Sequence, residues 1–393
     1  MSVVLAVLAA AVLIAVFVIG REVYRKNMHI WLWSYIIRKP EVPLPGEPVH
    51  IMFAFVDHFE PRWGRASPSV EDARVDRWCK EYPVLADQHQ DADGCHPKHT
   101  FFFPQEEYEQ RHLAKLSSLC SAGYGEIEIH LHHDNDTARG LSSKLVSFLE
   151  TLDREHRAVA RDPKTNAFRF SFIHGNWALD NSRADGRWCG VDNELAVLGQ
   201  LGCYADFTLP SAPSDTQTRK INSIYYATGR DGRRKSHNTG TDVEAGKPGK
   251  GDLMIIQGPL ALNWKYRKYS ILPRIENSDI RKNSPPTHER VDLWVKAGIG
   301  VKKKPNWRFV KIHTHGTQEG DIDTLLGEPV DAMFSYLESK YNDGRKYILH
   351  YVSAREMYNI VVAAEAGETG DPNEYRDYRI PRPPMLDAME PRS

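Results

Sequence analysis

Three stretches of this chain set histidines beside carboxylates. The first reads VDHFE at 56–60 and holds Asp57, His58 and Glu60. The second reads HLHHD at 130–134 and holds His130, His132, His133 and Asp134. The third reads HTH at 313–315, with His313 and His315. Imidazole and carboxylate are the usual ligands of a zinc-like ion at a hydrolytic centre, where one position stays open for water. Such an ion brings the pKa of that water to about 7 and polarises a substrate carbonyl. A neighbouring carboxylate can then act as base and a further histidine as acid. One histidine near a strand end is usually a hydrogen-bonded surface residue. Three clusters in equivalent positions form a pattern.

Each cluster follows an apolar run of strand length: HIMFAFV at 50–56, GEIEIHLH at 125–132 and FVKIH at 309–313. Residues i and i+2 of a strand share a face, so His130 and His132 point together, as do His313 and His315. Further strands are expected at 168–173, 204–208, 253–257 and 347–352. Helical spacing lies between them. Leu113, Leu116, Leu119 and Cys120 share one face before Gly123, and Leu141, Leu145, Phe148, Leu149 and Leu152 share another. Asp192 opens a short helix, a helix spans 330–341, and Ser353 with Glu356 makes a capping box. The alternation implies an α/β fold with a largely parallel sheet, either a barrel or doubly wound. In such folds chemistry gathers at the C-terminal ends of the strands. Two more strand ends therefore matter. One carries His174, Gly175, Asn176 and Trp177, whose indole could stack on a sugar or pack in the core. The other carries Asp206, with Arg187 as a candidate partner.

In this order the motifs resemble the NodB-like polysaccharide deacetylases, the carbohydrate esterase family 4 group, over most of residues 49–365. The family opens on an acidic pair; Asp57 matches one acid and His58 replaces the other. Its two metal histidines stand four apart. His130 matches the first and Asp134 occupies the second position, so His132 or His133 would supply the other imidazole. The third motif resembles Phe172 to Trp177, with His174 in place of an arginine. The fourth resembles 204–208 through Asp206, and the fifth 310–315, with His313 and His315 competing as the acid. The resemblance implies a distorted barrel of about seven strands, a zinc-like divalent ion, and removal of an acyl group from an amino sugar or polysaccharide. Asp57 would be the base, or Asp134. His58, His130, His132, His133 and Asp134 supply the metal candidates. His174, Asn176, Trp177, Arg187 and Asp206 would meet the carbohydrate. Two rivals are a glycan-binding protein with a degenerate site, and a glycoside hydrolase pairing Glu60 with Asp134 or Asp180.

The whole chain sets the outer bounds. Its 393 residues are 41% hydrophobic and 26% charged, enough for one large core. A net charge of −1 and the lack of a basic stripe argue against nucleic acid as a partner. Five widely spaced cysteines without a CxxC exclude a zinc ribbon or a dense disulfide scaffold and fit a reducing compartment. Residues 2–20 carry no charge and approach the roughly 20 residues of a membrane span. Arg21, Arg25, Lys26, Arg38 and Lys39 follow, so residues 1–22 read as one uncleaved N-terminal transmembrane helix with the domain on the cytoplasmic side. That places the protein in a bacterial inner membrane, the opposite side staying open, with a carbohydrate substrate that a lipid could carry. Residues 23–48 comprise an aromatic segment, 28–37, that lies in the interface or packs on the domain, and a Pro-rich linker. Residues 49–367 form the domain. Residues 368–393 are a polar, Pro-rich tail, and the Gly-rich stretch 228–251 reads as a solvated loop.

Overall fold

The computed structural model describes residues 2–386. Strand β1 (Val49–His58) is buried along its whole length. Such continuous apolar runs belong to parallel sheets covered on both faces. Its companions are β2 (His99–Pro104), β3 (Gly125–Leu131), β4 (Phe168–His174), β5 (Cys203–Asp206), β6 (Ile224–Ala227), β7 (Leu253–Ile256), β8 (Trp307–Thr314) and β9 (Tyr347–Tyr351). They make up most of a twelve-stranded sheet. Strands β8, β1, β2, β3, β4, β5 and β7 are parallel neighbours in that order, and β9 lies parallel to the first half of β1. Only β6 among these runs antiparallel, against β7. The α/β class with a large, mostly parallel sheet is therefore observed.

Period two sorts the side chains onto two cores. Phe53, Phe55, Phe101, Phe103, Ile127, Ile129, Phe170, Phe172, Val310 and Ile312 share one core. Three helices cover it: Pro68–Ala86, Gln110–Leu119 and Ala138–His156. Thr137 caps the last of these by accepting from Gly140 N–H. Met52, Ala54, Val56, Phe102, Ile173 and Phe309 share the other core with Met357, Ile360 and Val361 of the helix Ala354–Ala366. Ser353 and Glu356 form the expected capping box there. Asp57 and His58, adjacent in sequence, thus leave β1 toward opposite faces.

Glu128 of β3 is buried on the second face. It accepts from Ser171 N–H at 2.6 Å and from the Tyr204 hydroxyl. Burial pushes its carboxyl up to about 8. The folded chain thus holds a proton that an unfolded glutamate releases near pH 4.3. Its contribution to stability is full below that value and is lost as pH rises through about 8. Glu128→Gln should flatten this slope: urea midpoints at pH 5 and pH 8.5 should lie closer together in the variant than in the wild type.

The apolar N-terminal run forms the helix Ser2–Arg25. Among the described residues no helix is long and apolar enough to cross a membrane. This overturns the transmembrane anchor, and with it the single-pass inner-membrane placement and the cytoplasmic orientation. The uncharged stretch is shorter than the helix, whose last turns carry charge. Glu22 pairs with Arg25 at 2.6 Å and with Lys268 at 3.5 Å. The aromatic segment packs on the domain: Trp31 is fully buried beside Ala212, Ile221, Leu260 and Leu262. The Pro-rich stretch 39–48 is pinned by Asn306, whose amide donates to the carbonyls of Leu44, Glu47 and Pro48. Residues 368–386 lie against the domain, with Ile380 and Met385 buried; the rest of the expected tail lies outside the described residues. All five cysteines are free. A hairpin that the sequence reading left out, Ala261–Lys268 with Leu272–Glu276, stands beside the main sheet.

Candidate metal centre at the sheet rim

His58 ends β1, His130 and His132 end β3, and His313 and His315 end β8. All five lie on the face of the second core, and they converge. The rings of His58 and His315 stack with centroids 4.6 Å apart. His58 meets His130 edge-on at 4.9 Å, and His130 meets His132 at 4.6 Å. The His313 ring is 6.4 Å from that of His58. Glu60 joins them from the turn after β1. Its Oε1 lies 3.2 Å from His130 Nε2 and 3.5 Å from His132 Nε2. Donor atoms of His58, Glu60 and His315 fall within 4.8 Å of one another, and so do those of Glu60, His130 and His132.

The hydrogen bonds show what the cluster lacks. His130 Nδ1 lies 2.8 Å from the Ile173 carbonyl, which only accepts, so Nδ1 carries the proton. In neutral imidazole Nε2 is then a bare lone pair, and it faces a carboxylate oxygen. Two acceptors meet there, and a proton or a metal cation resolves the contact. His315 Nδ1 is buried without a hydrogen-bond partner, and so is His313 Nδ1. Burial, and then the neighbouring His315, His130 and His313, hold His58 well below its usual range, so it keeps its lone pair. Burial raises Glu60, but the adjacent His130, His315 and His132 outweigh it and keep the carboxylate ionised. These donors suit a divalent cation of the zinc type.

His132 differs from the others. Its side chain is about 30% exposed, and its Nδ1 lies 2.5 Å from Glu106 Oε1. Burial lowers it, yet the Glu106 bond and the charge of Glu60 raise it above an ordinary histidine. Gly175 stands against this ring; a Cβ there would sit 2.3 Å from His132 Cδ2. Trp177 borders the cluster, 5.9 Å from His58 and 5.7 Å from His315. Asn176 and Trp177 both adopt left-handed backbone, φ 54° and 55°, a strain that clusters at binding sites.

Several expected site residues stand elsewhere. Asp57 faces the first core and is fully buried. Its Oδ2 is 2.9 Å from His99 Nε2, and its Oδ1 accepts from Gly316 N–H at 2.6 Å. Period two turns it away from His58, so it positions the 315–317 turn instead of meeting water. Asp134 accepts from the amides of Asn135 and Trp188 in a loop. His133 and His174 leave the rim for a buried pocket beside Cys189 and Glu194. Asp206 is fully buried and accepts from Thr208. Arg187 is exposed and pairs with Asp185 at 2.9 Å, so the Arg187–Asp206 pair does not form.

Sequence reasoning did not assign a site role to Glu106 or Asp279. Glu106 stands two residues beyond β2, so the strand-end criterion would have reached it. Asp279 lies 3.9 Å from His313 Nε2 and pairs with Arg281. It belongs to a two-residue strand that carries no periodic signal. No family model matches this chain, and no curated protein matches it.

Proposed function

We propose that this protein is a metal-dependent hydrolase that removes an acyl group, most simply acetyl, from an amino sugar or polysaccharide. The carrying observation is the bare His130 Nε2 aimed at Glu60 within a ring of imidazoles drawn from three strand ends. The order of those strand ends supports a NodB-like deacetylase with a distorted barrel. His58, His130, His315 and Glu60 would hold the ion, zinc being the expected one. A divalent cation supplies a water that ionises near neutral pH and a Lewis acid for the carbonyl. Neutral His132 takes a proton from the attacking water, and as imidazolium it delivers that proton to the leaving nitrogen. Glu106 holds the ring in one orientation through both steps. His313 and Asp279 lie behind His315 and steady the rim.

Trp177 offers the flat apolar face that a pyranose ring needs. Trp177→Ala should raise KM up to about tenfold, since stacking contributes about 0.5–1.5 kcal/mol, while kcat stays within about threefold. Steady-state kinetics on a chitooligosaccharide read both values.

The rival readings make different forecasts. Paired-carboxylate glycoside hydrolysis loses support because Asp134 and Asp180 spend carboxylate oxygens on loop amides. A glycan-binding protein without turnover draws support from the retirement of Asp57. The test is acetate release from N-acetylated chitooligosaccharide by the chelator-stripped chain before and after zinc. Release restored by zinc supports the hydrolase. Binding of the sugar with no release in either state would replace it with the binding reading.

A further inference from the structure

The residues that left the rim meet again behind it. His133 comes from the turn after β3, His174 from the end of β4, Cys189 from the following loop and Glu194 from the first turn of the helix Glu194–Gln200. All four are buried, and one donor atom from each falls within 4.8 Å of every other. Glu194 Oε1 lies 3.1 Å from His133 Nε2 and 3.4 Å from His174 Nε2, and Cys189 Sγ lies 3.5 Å from Glu194 Oε2. Tetrahedral zinc with bonds of about 2.0–2.3 Å sets its ligands about 3.3–3.8 Å apart. The Glu194 contacts, at 3.1–3.5 Å, lie close to that spacing, and the remaining pairs fall within 4.8 Å.

His174 makes the strongest case. Its Nδ1 lies 2.5 Å from the Gly175 carbonyl and must donate to it. Its Nε2 is therefore a lone pair, fully buried, aimed at the group and without a hydrogen-bond partner. An unmatched buried acceptor of this kind is destabilising, and a cation among the four donors removes that cost. The charges also close. One thiolate, one carboxylate and two neutral imidazoles neutralise a divalent ion, the state that a fully buried centre tolerates. Asp136 Oδ2 stands 3.2 Å from His133 Nδ1, which makes no hydrogen bond, and a carboxylate in that place can steady a ligating histidine.

We propose that His133, His174, Cys189 and Glu194 form a second, closed metal site that binds a zinc-like ion for structure. With all four positions filled by protein there is no opening for substrate, unlike the rim cluster. On binding, the Cys189 thiol gives up its proton to solvent and its sulfur becomes a ligand; no oxidation or reduction occurs. The ion would tie the loop bearing Cys189 to the turn after His132, which Asp136 N–H already joins to the Cys189 carbonyl at 2.9 Å.

The test uses the full chain, stripped with chelator and reloaded with cobalt(II). The expected result is a thiolate-to-cobalt charge-transfer band in the near ultraviolet. That band should persist in Glu60→Gln, which alters only the rim, and vanish in Cys189→Ala together with one equivalent of bound metal. The other four cysteines join no group of three or more metal donors among the described residues. Absence of the band in the wild-type chain, or an undiminished band in Cys189→Ala, overturns the proposal. If Cys189→Ala does not fold, Cys189→Ser serves, and there too the band must disappear.

Discussion

Glu60→Gln should silence hydrolysis while leaving the metal-free chain at least as stable as the wild type. The exchange keeps the shape of the side chain and removes its charge. In the wild type, Glu60 Oε1 faces the lone pair of His130 Nε2 at 3.2 Å. An amide can turn an N–H toward that lone pair, so the metal-free contact changes from acceptor–acceptor to a hydrogen bond. The cation loses its one anionic ligand at the same stroke. Several kcal/mol of charge stabilisation depend on it, and each 1.36 kcal/mol is tenfold in rate. Acetate release should fall by about a thousandfold or more. The urea midpoint in chelator should hold or rise. Activity retained within about tenfold would show that Glu60 is not a ligand.

Asp57→Ala should fail for a different reason, as a folding defect. Asp57 is fully buried between His99 and the Gly316 amide. Truncation leaves both partners unmet in the first core. Breaking a buried pair from one side costs about 3–5 kcal/mol, a large share of a domain's stability. Asp57→Asn is the informative companion. Its carbonyl oxygen can still accept from Gly316, and its amide can donate to His99 Nε2 if that ring moves its proton to Nδ1, which has no partner now. Activity of the Asn variant should stay within about tenfold of wild type at a temperature where it is folded. A base at this position would instead lose nearly all activity on that exchange. Soluble yield, urea midpoint and kcat of the two variants separate the roles.

Both expectations turn on where the end of β1 and the turn after it deliver each residue, and there the sequence was only half legible. The rim itself could be read. Runs such as HIMFAFV end on polar residues, and parallel strands deliver those ends to one edge. The pairing of His130 with His132 followed from period two, and both do approach Glu60. The same rule separates Asp57 from His58, but the motif resemblance drew them into one set. Proximity in sequence draws His133 and His174 to the rim, although His133 lies beyond the end of β3 and His174 shares the face of Phe170 and Phe172, toward the first core. Their partners Cys189 and Glu194 stand some 15–60 residues away with no recurrent spacing. The packing of the Glu194–Gln200 helix against β5 and β7 helps to bring them together, and no local pattern encodes that. The Ala261–Lys268 hairpin escaped because its register shifts between Asn263 and Arg267, which breaks the alternation a strand search relies on.

The most direct test of the rim centre is anomalous diffraction at the zinc edge from crystals of the zinc-loaded chain. A peak about 2.0–2.3 Å from nitrogens of His58 and His130 and from a Glu60 oxygen is the expected result. A map without a peak at that rim, whatever the closed group at Cys189 holds, would contradict the account.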